Sequence, residues 1–592
     1  MTKGAKNPRS RIGRVRPTAP AGSGRAAARD WRDVGISVGL VLAGCVVLLP
    51  NLGDRSLWQD EAECALVARG ILRTGVPMAW DGRLLATAME GAELADSLLW
   101  AWTPWAMHYV AAAGMAIFGQ SSLGARLLFA LLGCASIGLT YTVARRLIRD
   151  RWASCLAGVL LLTSVQYLLL MRQCRYYAIV SVAALVAVWG YTELSRRRGL
   201  VMLVVGMALL FHANYATCAC VAFGLGGHAA LWGRDRQTWR RLGVAAAIAA
   251  ILTLPWFFGA GIYHVVSAGK DVSDRPPAGQ AAIKLLFILN QLVCPFVVVL
   301  GLVIARAKGR LRIGGAYGLV GCMAVPAMIL LPAFLWANPR YVVHMFPLGA
   351  IVVAAAVREL HHRSRAVGYV VAIVASVTHL LPAVPCALLP ANVGQNRLDG
   401  EFVTGGDAIL QAKLKTEWAG YVHELQEPFV GPNKAIVDFL NEHSAPNDIV
   451  YASYGQFPIM FHTNRRCAGL LKASDRLERG WDRLPDYLFD PDVADWLVFR
   501  PGWHPPGGYQ AMGRRWHIRA QRTGRQLAFH GLSVAEIRWG NRPLLQYHYF
   551  RPPKPSGVRD VGLIGFQRPQ GPDTPQKPAP PTDSVENGER RP

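Results

Sequence analysis

The chain has 592 residues, of which 52% are hydrophobic and only 17% are charged, and its formal net charge is +25. Soluble proteins carry about 25% charged residues, so the composition argues against a soluble globular protein. The Lys and Arg residues fall in short clusters between apolar runs and form no basic domain. This pattern is typical of membrane proteins, and we expect no nucleic-acid partner.

Residues 1–33 contain many basic residues and no apolar run, which predicts a basic, disordered cytoplasmic tail. Apolar runs long enough for transmembrane helices follow. We predict about 11 spans, at 34–50, 124–144, 152–171, 176–194, 200–212, 214–232, 242–260, 282–305, 313–336, 341–357 and 366–387. The joins after alternate spans are rich in Lys or Arg, which places them in the cytoplasm. Residues 51–123 and everything after 387 are then outside.

The apolar stretch 102–119 would reverse this topology if it crossed the membrane, so we predict a surface helix in the first outer loop. The expected fold is an α-helical polytopic membrane domain over residues 34–387. Ordinary charge and mixed patterns over 388–550 predict a small extracytoplasmic α/β domain. The Pro-rich segment 551–592 is predicted to be disordered.

Polar side chains that are costly in hydrocarbon gather at the outer ends of the predicted spans. They include Asp60, Glu61, Glu90, Glu93 and Asp96 in the first outer loop, Arg175 and Tyr176 in "MRQCRYY", His212, Lys270, and Arg340, Tyr341 and His344 in "NPRYVVHMFP". Each has an ordinary explanation on its own, such as a solvated loop acid, an interfacial anchor or an interior histidine. Together they would bring acids and bases to one level of the membrane.

That combination suits transfer of a group from a phosphate-linked donor. A carboxylate can take the proton from the attacking hydroxyl. Fixed Arg or Lys groups can stabilise the departing phosphate in a poorly hydrated site. Nucleotides are scarce outside the cell, so the activated donor would be carried on a lipid.

Four blocks of the sequence, within residues 34–350, resemble a known superfamily. They are "LWQDEAECALVARGILRTGVP", "FGQSSLGARLLFALLGCASIGLTYTVARRL", "MRQCRYYA" and "NPRYVVHMFPL". They resemble the protein mannosyltransferase and aminoarabinose transferase superfamily of GT-C membrane glycosyltransferases. The resemblance implies inverting transfer of a sugar from a polyprenyl-phosphate donor to an acceptor hydroxyl on the outer side. It also implies that Asp60 is the general base, with Glu61 orienting the acceptor or supporting the loop.

The sequence departs from the family where a second acidic or Lys-containing motif normally precedes the surface helix. Asp96 is the nearest match, and no Lys is present there. We therefore assign the donor phosphate to Arg175, Arg340, Lys270 and Tyr341, and the substrate pocket to Asp96, Tyr176, His212 and His344. We expect no cofactor. The outer histidines could bind a divalent cation, but no spacing indicates a metal site.

Two other functions stay open, a polytopic transporter and a non-catalytic envelope-assembly subunit. Transporters usually place charges and broken helices at mid-membrane, in repeated halves, whereas here the charges lie at the outer ends. The combination of Asp60, Arg175 and Arg340 favours an enzyme in the inner membrane, with its site facing the periplasm or exterior. The sugar, the acceptor (a lipid, glycan or protein) and the oligomeric state do not follow from the sequence.

Overall fold

A computed structural model describes most of the chain. The described residues are 30–232, 235–263, 277–308, 316–334, 338–391, 393, 403–410, 412, 414, 415, 417–426, 431–452, 454–499, 506–535 and 558–567. The predicted basic tail up to residue 29, and most of the predicted Pro-rich tail, lie outside these ranges.

The first two thirds of the described chain are helical. The helices of this part are α1 (Trp31–Leu48), α2 (Gln59–Thr74), α3 (Ala106–Phe118), α4 (Ser122–Ile148), α5 (Arg151–Leu162), α6 (Val165–Met171), α7 (Tyr177–Thr192), α8 (Arg197–Ala213), α9 (Tyr215–Leu231), α10 (Arg236–Gly259), α11 (Ala278–Ile288), α12 (Phe296–Ala307), α13 (Ala316–Phe334), α14 (Met345–Arg363), α15 (Arg365–Val377) and α16 (Leu380–Ala387). Each predicted span falls on one or two of them.

Within the described residues, three helices are long and apolar enough by themselves to cross a membrane, namely α1, α4 and α10. Two bent pairs, α5 with α6 and α11 with α12, meet the same criterion when each pair is taken as one span, which gives up to five. Several of the other predicted spans are shorter apolar helices of 10–17 residues. Small residues bring these helices together. A Cβ added at Gly206 of α8 would lie 2.6 Å from the Ala187 nitrogen of α7.

Two of the predicted spans are bent. The helix axes turn by 72° between α5 and α6 and by 87° between the segment 278–293 and α12. Pro295 explains the second bend, because a residue before proline is driven out of the helical region, and Cys294 has φ −152° and ψ 112°. The Asn290 side chain makes two hydrogen bonds at this break in the helix. Its Oδ1 accepts from the Phe296 amide at 2.8 Å, and its Nδ2 donates to the Pro382 carbonyl at 2.8 Å.

The loop predicted to be the first outer loop carries two helices joined by irregular chain. Helix α3 occupies the stretch predicted to be a surface helix, and it packs against α2 and α4. The connection between α2 and α3 is held by isolated bridges, including Met78 with Leu99 and Leu94 with Trp100. This connection therefore has a defined path, although it forms neither a helix nor a sheet.

The C-terminal part is a small α/β unit. Its elements are α17 (Asp407–Leu410), α18 (Glu417–Gln426), α19 (Pro432–His443), β1 (Ile449–Ala452), α20 (Gln456–Thr463), β2 (Arg466–Cys467), α21 (Asp475–Glu478), β3 (Trp496–Phe499), α22 (Pro506–Thr523), β4 (Leu527–Ala535) and β5 (Val558–Phe566). The sheet order is β2-β1-β3-β5-β4. Strand β1 is parallel to β2 and β3, whereas β5 is antiparallel to β3 and β4.

Strand β5 corrects the prediction that the whole segment 551–592 is disordered. Residues 558–566 lie inside the sheet, where Leu563 faces Val498 on one side and His530 on the other. The backbone groups of β5 form hydrogen bonds with β3 on one side and with β4 on the other. A nine-residue segment that contains two glycines could not make these hydrogen bonds by itself. The rest of the predicted tail lies outside the described residues.

Candidate active site

Helix α2 begins at the end of the first outer stretch and carries three acidic residues in its first turns. Trp58 precedes the helix in an extended conformation, and Glu61 accepts its backbone amide at 3.4 Å, as in a capping box. Carboxylates near a helix N-terminus are favoured by the helix dipole. Neighbouring helix positions do not face each other, whereas positions three apart do. Asp60 and Glu63 therefore share one face of α2, and Glu61 points elsewhere.

Asp60 lies between two arginines from distant parts of the chain. Its Oδ2 is 3.2 Å from Arg340 Nη1 and 3.6 Å from Arg175 Nη2. Arg340 belongs to the turn before α14, and Arg175 to the connection between α6 and α7. The Asp60 side chain is 24% exposed, so it is accessible from outside the protein core. The structure thus brings together three residues that the sequence singled out.

A second carboxylate, Glu63, shares Arg175 with Asp60. Arg175 Nη1 donates to the Asp60 carbonyl at 3.0 Å and to Glu63 Oε1 at 3.1 Å. The pKa of Glu63 is raised to about 8, mainly by burial; Arg175 lowers it, and the negative charges of Asp60 and Glu93 raise it. Glu63 is therefore a carboxyl group that can change its protonation near neutral pH.

Glu61 is not part of the exposed cluster, which corrects its assignment as a catalytic residue. Its side chain is 1% exposed. It accepts from Arg126 Nε at 2.8 Å and Nη2 at 2.5 Å, and from the Cys174 amide at 2.8 Å. Arg126 also donates to the carbonyls of residues 52, 55 and 56. Glu61 thus supports the loop, the second of the two roles that the resemblance implied.

Arg340 is placed by a short 3-10 turn, Pro339–Val342. Asn338 precedes it, and its side chain accepts the Arg340 amide at 3.1 Å. Arg340 Nη2 donates to the Tyr341 hydroxyl at 3.1 Å, and the guanidinium lies 5.0 Å from the centre of the Tyr341 ring. Tyr341 therefore orients the Arg340 guanidinium. Both residues were predicted to bind the donor phosphate, and they lie in contact.

Tyr176 and His344 are both buried, and in sequence they lie near Arg175 and Arg340, respectively. Tyr176 lies within electrostatic reach of Arg340, Arg175 and Tyr341. Its hydroxyl is buried and has no hydrogen-bond partner among the described residues. His344 is fully buried, and neither of its ring nitrogens has a partner in the described part of the chain. Tyr176 thus borders the cluster, whereas no contact joins His344 to Asp60.

Two predicted pocket residues lie elsewhere. Asp96 pairs with Arg479 of the C-terminal unit at 2.8 Å, and its side chain is 76% exposed. His212 packs edge-on against Trp256 at 4.7 Å and against Phe211 at 5.7 Å. These contacts join neither residue to Asp60, because the C-terminal unit holds Asp96 and an aromatic cluster holds His212, so their assignment to the pocket stays a prediction. Lys270 lies outside the described residues.

Sequence reasoning missed Glu63, and it named Glu93 in the outer loop without assigning it to the site. Glu93 is 1% exposed, and its Oε1 accepts the amides of residues 88 and 89. Its charge contributes to the raised pKa of Glu63, whereas the expected Asp96 pairs with Arg479. Glu63 could have been found from its spacing, because a residue three positions after Asp60 lies on the same face of a helix. Among the described residues, no group of three or more His, Cys, Asp or Glu is arranged to hold a metal ion.

Comparisons with known proteins agree with this architecture. The family model described as "Dolichyl-phosphate-mannose-protein mannosyltransferase" matches residues 103–258. The structure of ArnT from Cupriavidus metallidurans in the apo state aligns with a TM-score of 0.56 and 17% identity, over 90% of this chain and 98% of that one. The same protein bound to undecaprenyl phosphate aligns with a TM-score of 0.54 and 16% identity, over 91% and 98%. No curated protein matches significantly. The chain therefore has the predicted GT-C membrane fold, shared with ArnT, and its residues 103–258 match a mannosyltransferase family.

Proposed function

We propose that this protein is a membrane glycosyltransferase. It transfers a sugar from a polyprenyl-phosphate donor to an acceptor hydroxyl on the extracytoplasmic side of the inner membrane, with inversion. The geometry of Asp60 between Arg175 and Arg340 carries the proposal. The two arginines are 115 and 280 residues from Asp60 in sequence, so the fold rather than the local chain brings the charges together.

Each charged group has a role in this chemistry. Asp60 accepts the proton of the acceptor hydroxyl while its oxygen attacks the anomeric carbon. The bond between that carbon and the phosphate oxygen breaks, and its electron pair leaves with the polyprenyl phosphate. Arg340 and Arg175 neutralise the charge that gathers on the phosphate. Attack opposite the leaving phosphate inverts the anomeric centre.

The ion pair between Asp60 and Arg340 links donor binding to the basicity of Asp60. Its Oδ2 lies 3.2 Å from Arg340 Nη1, and this positive charge makes the oxygen a weaker proton acceptor. A lipid phosphate that binds Arg340 competes with Asp60 for the guanidinium and releases Oδ2. Arg175 remains held by Glu63. Donor binding would therefore free Asp60 Oδ2 from Arg340, so that this oxygen becomes available as a base in the donor complex.

Three further observations support the lipid donor and the outer location. One matching fold was solved bound to undecaprenyl phosphate, which is a polyprenyl phosphate. The basic joins between alternate spans place the first loop outside. Asp60 and Arg340 lie at the outer ends of predicted spans, where the phosphate of a membrane-embedded lipid would be. The acceptor class and the sugar are left to experiment.

The test is turnover by the purified protein in lipid vesicles. Polyprenyl phosphates carrying radiolabelled mannose, aminoarabinose or other sugars are supplied with envelope lipids and glycans, and cleavage of the sugar–phosphate bond is measured. We expect cleavage that depends on the acceptor. A protein that binds these donors but leaves every sugar–phosphate bond intact would be a transporter or an assembly subunit. Mass spectrometry of envelope lipids and glycans with and without the protein identifies the product.

A further inference from the structure

The C-terminal α/β unit reaches the segment that carries Asp60. Helix α20 packs along α2, and His462 Nε2 accepts the Leu57 amide at 3.0 Å. Asn433 Nδ2 donates to the Leu57 carbonyl at 3.3 Å. Leu57 is fully buried and lies three residues before Asp60. Both polar groups of its backbone are thus held by the C-terminal unit, so this unit sets where α2 begins.

His462 can act as an acceptor only when its ring is neutral. Burial, followed by the positive charges of Arg126, Arg69 and Lys434, lowers the pKa of His462 to about 4. Asp438 partly opposes this effect. The ring therefore stays neutral at physiological pH, with Nε2 available to the Leu57 amide. A second contact fixes the two helices, because Arg69 donates to the Phe461 carbonyl at 2.7 Å.

The same unit holds the loop that carries Glu93. Arg479 donates from Nη1 to the Gly91 carbonyl at 2.7 Å and from Nη2 to the Leu94 carbonyl at 2.5 Å. Its Nε is 2.8 Å from Asp96 Oδ1. Three donors of one guanidinium thus bind three residues of one loop, a geometry that Lys cannot reproduce.

Packing around this arginine explains why the loop cannot shift freely. The Arg479 guanidinium lies 4.0 Å from the centre of the Trp481 ring, and Trp481 Nε1 donates to the Asp96 carbonyl at 2.8 Å. Gly91 has φ +92°, and a Cβ there would lie 2.9 Å from side-chain atoms of Leu471 and Trp481. The loop is therefore closely packed against the C-terminal unit, and it carries the buried Glu93, which accepts the amides of residues 88 and 89.

We propose that the C-terminal unit is a working part of the active site, in which His462 positions Asp60 through Leu57 and Arg479 positions Glu93 through loop 91–96. Both are positioning residues, since they act through other groups. The inference rests on the proposed glycosyl transfer for its kinetic readout. It adds that the catalytic base and the loop that carries the buried Glu93 are aligned by the C-terminal unit.

Two matched pairs of variants test it in the full-length protein. His462→Leu removes the acceptor for the Leu57 amide, whereas His462→Gln keeps an acceptor at a similar position. Arg479→Gln breaks the loop contacts, whereas Arg476→Gln breaks a comparable ion pair, with Asp486 at 2.7 Å, inside the C-terminal unit. Turnover is measured together with hydrogen–deuterium exchange of the backbone amides.

We expect His462→Leu and Arg479→Gln to lower kcat about tenfold or more, because small misplacement of a base is costly, with KM for the lipid donor nearly unchanged. His462→Gln and Arg476→Gln should stay near wild type. Amides 88–96 should exchange faster in Arg479→Gln, with slow exchange retained in β3. Wild-type kcat in both disruptive variants, or loss of β3 protection along with activity, would overturn the inference. Absence of turnover in the wild-type protein would instead count against the proposed function, and the exchange data would still show whether Arg479 holds the loop.

Discussion

Replacing Asp60 with asparagine removes the proton acceptor and one negative charge while keeping the shape of the side chain. Loss of a general base should lower transfer by about 10²- to 10⁴-fold. Donor binding should change in the opposite direction. Asp60 pairs with Arg340 at 3.2 Å, and the two side chains are 24% and 23% exposed. A pair exposed to this extent contributes up to about 1 kcal/mol, so its loss should tighten lipid-phosphate binding by up to about fivefold.

Both quantities are measurable on one purified sample. Turnover is followed by release of labelled sugar from the polyprenyl phosphate, and affinity by titration of polyprenyl phosphate in a calorimeter. Asp438→Asn is the matched control, because it breaks a surface pair with Lys434 at 2.8 Å in the C-terminal unit; it should change neither quantity. Turnover of Asp60→Asn at the wild-type rate would refute its role as base. Weaker lipid-phosphate binding would refute competition for Arg340.

Three other substitutions have distinct expected outcomes. Arg340→Ala should weaken donor binding about ten- to hundredfold, as expected for a lost hydrogen bond to a charged group; an effect on acceptor use alone would exclude this role. Glu61→Gln should cost about 3–5 kcal/mol of stability because it leaves Arg126 buried without its counter-charge, with activity per folded molecule retained; thermal unfolding in detergent measures this. Glu63 keeps its proton in the folded protein up to about pH 8, whereas its usual value is 4.5, so stability should fall as pH rises through that window. Glu63→Gln should remove this pH dependence in melting curves, and a persistent slope would point to another group.

The helical membrane architecture followed from local properties of the sequence. Hydrocarbon requires about 20 consecutive apolar residues for each span, and basic joins orient the spans. Both signals are read from short windows, so the helices could be predicted from them, together with a topology that puts the first loop outside. Arg175 and Arg340 were found in the same way, because charges are costly within a membrane and stand out at the ends of spans.

The predictions failed where the position of a side chain depended on which way it points from its helix or loop, or on a partner far away in sequence. Asp60 and Glu61 look alike in sequence, but one helical step turns Glu61 towards Arg126 and leaves Asp60 facing the two other arginines. Asp96 and Glu93 also differ, because Asp96 is exposed and pairs with Arg479, whereas Glu93 is buried.

The sequence by itself determined that the chain forms apolar helices with acids and arginines at their outer ends. Only the tertiary structure decided which of those groups meet, that β5 completes the sheet from within a Pro-rich segment, and that the C-terminal unit holds the start of α2. The physical reason is that the free energy of placing an apolar or charged residue in a membrane depends on that residue and its near neighbours in sequence. Ion pairs and strand pairing instead join positions up to hundreds of residues apart, so they depend on the fold of the whole chain.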